Sequence, residues 1–188
     1  MPTQLTPHFT LEELVSKKVQ RDKCAVSFDI CQENLQSLCE KVLEPLRSVY
    51  GPMGINSGLR DIAFSASLAT DPAAAARVAK RPGPHCYGES ADFAIIAIDK
   101  LPEPARSDAY LKAFETLYNL VKKNGLEVNE AILEYAKGEA VLGKETGKRI
   151  THIHVQHRKV IKNNGRFVAR KWKLVNGVLA ETYIPWKP

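Results

Sequence analysis

The stretch Ile150-Thr151-His152-Ile153-His154-Val155-Gln156-His157 decides the fold. It reads as an extended segment that continues to Lys162, and because strand side chains alternate with a period of two, His152 and His154 share one face. Upstream, Val128 to Tyr135 reads as another strand, and downstream Asn164-Gly165 and Asn176-Gly177 are strong hairpin-turn signals. The chain is therefore expected to close with an antiparallel meander.

Further back, Asp92 to Ile98 is a compact apolar run of strand length, and Met53 to Ser57 is a short strand leading into the turn Gly58-Leu59-Arg60. Helical signals dominate the first half. Thr10-Leu11-Glu12-Glu13 is a capping box, from which a helix should run to about Lys18. A second helix should start near Asp29, with Gln32 closing a similar box, and carry Leu35, Leu38, Cys39, Val42, Leu46 and Val49 as its core stripe. Pro45 should kink its last turn and Gly51-Pro52 should end it. Asp61 to Pro84 reads as an exposed loop with one or two helical turns, and Ser107 to Lys123 as a helix stopped by Gly125. Helices precede strands without regular alternation, so the class is α+β: N-terminal helices packed on a mainly antiparallel sheet with a C-terminal β-meander. Residues 1–188 read as a single domain, with 157–188 a basic C-terminal β-hairpin extension.

The composition excludes several classes. At 188 residues and 44% hydrophobic content the chain can bury a core without disulfide staples, and no run approaches the roughly 18 apolar residues of a membrane span. The four cysteines form no Cys-x-x-Cys pair, so free or core thiols are expected. Met1-Pro2-Thr3-Gln4-Leu5 has neither the basic head nor the apolar run of a signal peptide, which implies synthesis in the cytoplasm. The net charge of +6 points to an acidic partner, either nucleic acid or an anionic envelope polymer.

The chemistry concentrates in His85-Cys86-Tyr87-Gly88-Glu89-Ser90-Ala91-Asp92. With a glycine between them, His85 and Asp92 can bend back onto one metal ion, and His152 or His154 then offers a third ligand. Catalytic zinc usually keeps three His, Asp or Glu ligands and leaves one position for water. Such a site also needs a carboxylate that takes a proton without binding the metal. Glu134, inside the apolar strand segment Ala131-Ile132-Leu133-Glu134-Tyr135, is the candidate; a strand-edge glutamate facing water is the plain alternative.

In order, Asn56-Ser57-Gly58-Leu59-Arg60, His85-x-x-Gly88-x-x-x-Asp92, Ile132-Leu133-Glu134 and Ile153-His154-Val155 resemble the zinc peptidases of bacterial cell walls. These are the D-alanyl-D-alanine carboxypeptidases, the vancomycin-resistance dipeptidases and the L-alanyl-D-glutamate endopeptidases of bacteriophage lysis enzymes. The opening Phe9-Thr10-Leu11-Glu12-Glu13-Leu14, with Asn34-Leu35 and Val42-Leu43-Glu44-Pro45-Leu46-Arg47, looks like the helical start of the phage-type branch. The resemblance covers residues 8 to about 156.

It implies one Zn2+ held by His85, Asp92 and His154, with Glu134 as general base and Arg60 holding substrate or stabilising the oxyanion. His152 stands where the family has an aromatic residue and lines the pocket or acts behind the ligands; His152 and Tyr87, next to His85, are the candidate substrate-binding residues, and His157 is close enough in sequence to be a reserve ligand. The implied activity is hydrolysis of peptidoglycan stem peptides, at D-Ala-D-Ala, L-Ala-D-Glu or cross-bridge bonds, at the bacterial cell wall, by an enzyme released by a phage lysis partner, carried in a virion or made by the cell itself. Gly83 stands where the family has a serine, Leu59 where it has tyrosine and Ser90 where it has alanine, changes that bear on substrate choice. A non-catalytic zinc-containing wall-binding or virion module on the same fold is the alternative.

Cys86 reads as a buried or pocket-lining thiol, and His8 and His157 as surface or strand residues. Arg158, Lys159, Lys162, Arg166, Arg170, Lys171 and Lys173, with Phe167 and Trp172 interleaved, suit nucleic acid in principle, but a solvated hairpin face fits them better. That face is expected to hold anionic cell-envelope polymers, outside the catalytic blocks.

Overall fold

The structure is a computed structural model and describes residues 2–69, 72–136, 149–159, 165–175, 178–186 and 188. A two-stranded ribbon, β1 (Gln4–Thr6) against β2 (Phe9–Thr10), delivers Thr10 to the start of helix α1 (Leu11–Leu14). There the expected capping box forms, the Thr10 amide donating to the Glu13 carboxylate at 2.8 Å. The helix stops at Leu14 instead of about Lys18. Val15 is extended and its backbone forms a parallel bridge with Leu59, so a tertiary contact overrides local helix preference.

Helix α2 (Phe28–Leu38) starts near Asp29 as expected and is capped by Ser27, whose hydroxyl accepts from the Ile30 amide. A π-helical turn, Cys39–Leu43, then leads into α3 (Glu44–Tyr50). Pro45 has no amide to give the preceding turn, and the widened turn accommodates it while Leu35, Leu38, Cys39, Val42 and Leu46 stay fully buried. Val49, the last of the expected stripe, is exposed. Gly51 ends the helix at φ 77°, a conformation glycine reaches without steric cost.

Strand β3 (Met53–Ser57) falls where expected. The region beyond it is more helical than a loop: α4 (Ile62–Ser67) is capped by Asp61, and α5 (Pro72–Lys80) follows. Strand β4 (Ser90–Ile95) turns into the short helix α6 (Ile96–Asp99) before reaching Ile98, and α7 (Ala105–Asn124) ends on Gly125 at φ 73°. Then come β5 (Glu130–Tyr135), β6 (Ile150–Gln156), β7 (Arg166–Val175) and β8 (Val178–Pro185).

The architecture is α+β, with a mainly antiparallel six-stranded sheet in the order β3-β4-β6-β5-β7-β8. One pairing departs from a meander. Because β6 lies between β4 and β5, β7 docks on the other edge of β5, and does so in parallel. Asn164-Gly165 therefore does not join a hairpin, since β6 and β7 are not neighbours; Asn164 itself lies outside the described residues. The Asn176-Gly177 turn also lies outside them, but the strands on either side of it, β7 and β8, do pair as a hairpin. The expected 157–188 extension thus contains the β7–β8 hairpin, whose first strand lies inside the sheet and whose second forms its edge.

One sheet face is core. Ala131, Leu133, Ile153, Val155, Phe167 and Ala169 are buried there with Phe114 and Leu117 of α7, each large side chain contributing about 1.5–3 kcal/mol. Phe167 meets Phe114 and Tyr118 edge-on at 5.5 and 5.0 Å. Among the described residues, no helix is long and apolar enough to cross a membrane.

Candidate metal centre

Strand register builds the site on the other face in three rows. Asp92 of β4, His154 of β6, Ile132 of β5 and Val168 of β7 are consecutive cross-strand partners and form the middle row. On one side lies the row His152, Glu134, Arg170 and Tyr183; on the other, Gln156, Glu130 and Arg166. Successive rows are two strand residues apart, roughly 7 Å.

His85 comes from outside the sheet, on the 3-10 turn Pro84–Tyr87. Gly88 closes that turn at φ 72°, and a Cβ there would stand 2.5 Å from the Cys31 carbonyl oxygen, so the tight docking against α2 requires glycine. The His85 Nδ1–H donates to the Gly58 carbonyl at 2.6 Å, which turns Nε2 toward Asp92 Oδ1, 3.4 Å away. His154 Nδ1 lies 2.8 Å from the same oxygen. His85, Asp92 and His154 are all buried and offer one ligand atom each within 4.8 Å of one another, a cluster that can hold a metal ion.

Arg60 braces the other side of Asp92. Its Nη2 donates to Asp92 Oδ2 at 2.5 Å and its Nε to Ser57 Oγ at 2.7 Å. Burial works against ionisation of Asp92, but the opposing interactions, led by its hydrogen bond with His154, hold the carboxyl well below its usual range. Burial lowers the His85 pKa, with Asp92 opposing, so the ring is favoured in its neutral form. With Nδ1–H given to Gly58, the lone pair of Nε2 then faces a carboxylate oxygen. Two electron-pair donors facing each other in a buried space are the donor set a cation satisfies.

The cluster opens into a cavity of about 520 Å³, lined also by Arg60, Ile132, Glu134, His152, Glu130, Arg166, Arg170, Leu68, Pro84 and Tyr183. Glu134 is buried, one diagonal step across the sheet from His154, and its Oε2 is ion-paired with Arg170 Nε. It is therefore not a water-facing edge residue. His152 lines the cavity but is not in the cluster; its Nδ1 sits 2.9 Å from Thr151 Oγ1, and burial pushes its pKa down to about 4.

Two expected residues lie elsewhere. Tyr87 is half-buried, does not line the cavity, and its carbonyl accepts from Asn34 Nδ2 at 2.8 Å, because the turn that aims His85 inward sets Tyr87 against α2. His157 is buried with both ring nitrogens engaged, Nδ1 donating to the Glu127 carbonyl and Nε2 meeting Ser37 Oγ, which removes it as a reserve ligand. Cys86 is fully buried 3.2 Å from Ser65 Oγ, and burial pushes its thiol up.

Lys162 and the side chains of Lys171, Trp172 and Lys173 lie outside the described residues; among the described members of the basic run, the charges are paired. Arg158 pairs with Glu89, Lys159 with Glu33, and Arg166 and Arg170 pair with glutamates in the cavity wall. Arg166, Arg170, Glu130 and Tyr183 are polar cavity residues that sequence reasoning missed. Period-two alternation groups Arg166 with Arg170, but only the parallel pairing of β7 with β5 shows which surface they join. Neither a protein-family model nor a curated protein sequence matches this chain.

Proposed function

We propose that the chain is a zinc-dependent peptidase that hydrolyses peptide bonds in peptidoglycan stem peptides, acting at the bacterial cell wall. The observation that carries this is the meeting, in one cavity, of a buried His-Asp-His donor set with a separate buried carboxylate, drawn from sequence positions as far apart as 85 and 154. The motif order that resembles the cell-wall peptidases supports the same choice of substrate.

His85, Asp92 and His154 would hold the ion, and zinc there supplies Lewis-acid polarisation of a carbonyl and acidification of a water. Glu134 accepts a proton from the attacking water and passes it to the leaving amine. Arg170 beside it favours the ionised carboxylate and fixes its direction. Arg60 holds Asp92 in place and sets a permanent positive charge next to the carbonyl under attack. His152, neutral in its buried setting, forms part of the wall against which the substrate lies.

The test is Glu134→Gln. Hydrolysis of purified peptidoglycan, followed by the new amino termini released, should vanish while one equivalent of zinc stays bound. Undiminished cleavage by the variant overturns the mechanism. A wild-type protein that binds zinc and releases no termini is instead a non-catalytic wall-binding or virion module.

A further inference from the structure

The row that carries Glu130 and Arg166 has no part in the chemistry just described, yet it lies in the same cavity. It stands on the opposite side of the metal cluster from the Glu134 row, roughly 7 Å from the His154 row along the strands. The Arg166 side chain is 63% exposed, whereas those of Arg60 and Arg170 are 20% and 25% exposed and bound to Asp92 and Glu134. Its backbone is fixed: the Arg166 amide donates to the Asn129 carbonyl at 2.9 Å and the Gly165 amide to the Val128 carbonyl at 2.9 Å. Arg166 Nη1 rests 2.8 Å from Glu130 Oε2.

An exposed pair of this kind contributes about 0–1 kcal/mol, so a second carboxylate can replace Glu130 at little cost. The charge of the cavity favours that exchange. Three arginines among its lining residues balance Asp92, Glu130 and Glu134, so a divalent cation in the cluster leaves the cavity positive by two.

We propose that Arg166 is an anion subsite that selects peptides carrying a carboxylate one or two residues from the bond that is cut. Two residues of extended chain span about 7 Å, the distance between the rows. This rests on the peptidase reading for the position of the scissile bond, though not for the binding of the anion. In a stem peptide the carboxylate is either the C-terminal one or the α-carboxylate of the γ-linked D-glutamate, and the subsite would recognise either by the same bidentate contact.

Three probes separate the sources: the pentapeptide L-Ala-γ-D-Glu-L-Lys-D-Ala-D-Ala, its C-terminal amide, and its D-isoglutamine form. Calorimetric binding to the zinc-loaded protein should weaken at least about tenfold for one of the two neutralised peptides. In Arg166→Ala that preference should fall to about one, Arg166→Lys should keep part of it, and Arg166→Glu should favour the neutralised form. Equal binding of all three probes by the wild type, or an unchanged preference in Arg166→Ala, overturns the subsite. If no peptide is hydrolysed but the preference exists and depends on Arg166, the peptidase reading fails and the subsite stands.

Discussion

Arg170 and Glu134 face each other across the parallel pair of β5 and β7, and the guanidinium Nε meets the carboxylate Oε2 where Glu134 is almost fully buried. A cation this close favours the charged form of a carboxylate. Arg170→Ala should therefore move the acid limb of the pH–rate profile for stem-peptide hydrolysis to higher pH, because a base without its cation protonates sooner. Arg170→Lys should restore part of the shift. An acid limb that stays in place in the alanine variant shows that Arg170 only packs.

Removing Gly58's freedom should damage the metal centre from a distance. A Cβ at position 58 would stand 2.2 Å from the Leu14 carbonyl oxygen, which also accepts the Leu59 amide at 2.7 Å. Gly58→Ala must push the Gly58 carbonyl off His85. Metal affinity should drop about 10–100-fold, as for other losses of a hydrogen bond behind a ligand histidine, and stability should fall by about 1–3 kcal/mol. Zinc titration against a competing chelator and thermal melting read the two effects separately.

Chelation should lower the melting temperature. Zinc at a hundred times its dissociation constant stabilises by about 2.7 kcal/mol, which for a chain of this size is about 5–10 °C. His85→Ala and His154→Ala should abolish that response to zinc and bind less than about a tenth of an equivalent. A variant that still gains the full increment would place the ion elsewhere.

The buried thiols set an alkaline limit on stability. Burial pushes Cys39 up to about 12, and Cys31 likewise, against about 8.5 for an unfolded thiol. In both groups the folded state keeps the proton that the unfolded chain releases. Their contribution is thus complete below pH about 8.5 and declines as the pH rises toward 12, by about 1.4 kcal/mol per unit for Cys39. Urea melts between pH 7.5 and 10.5 should show the decline, and Cys39→Ala should make it shallower. A pH-independent midpoint contradicts it.

The sheet face and the middle row were legible because they depend on local chemistry. Alternation puts His152 beside His154, and Glu134 stands out as the charge in an apolar strand. The capping box at Thr10 and the glycine stop at 125 are likewise local, and both formed. Strand partnership is not local: nothing in residues 166–170 specifies that they lie beside 130–134, so two cavity arginines passed for a surface patch. The early end of α1 has the same cause, a bridge from Val15 to a residue 44 positions away. Tyr87 was misplaced because adjacency to His85 says nothing about direction in a tight turn.

The parallel docking of β7 on β5 also orders the site in time. Ligands and walls run from Arg60 to Tyr183, and β7 cannot close the cavity beside Glu134 until it has been synthesised. At roughly 5–20 residues per second, a ribosome takes about 1.5–6 seconds to pass from His154 to Tyr183. During that interval the nascent chain carries all three side chains of the candidate metal cluster without the β7 arginines, so the cluster is complete before the cavity that surrounds it exists.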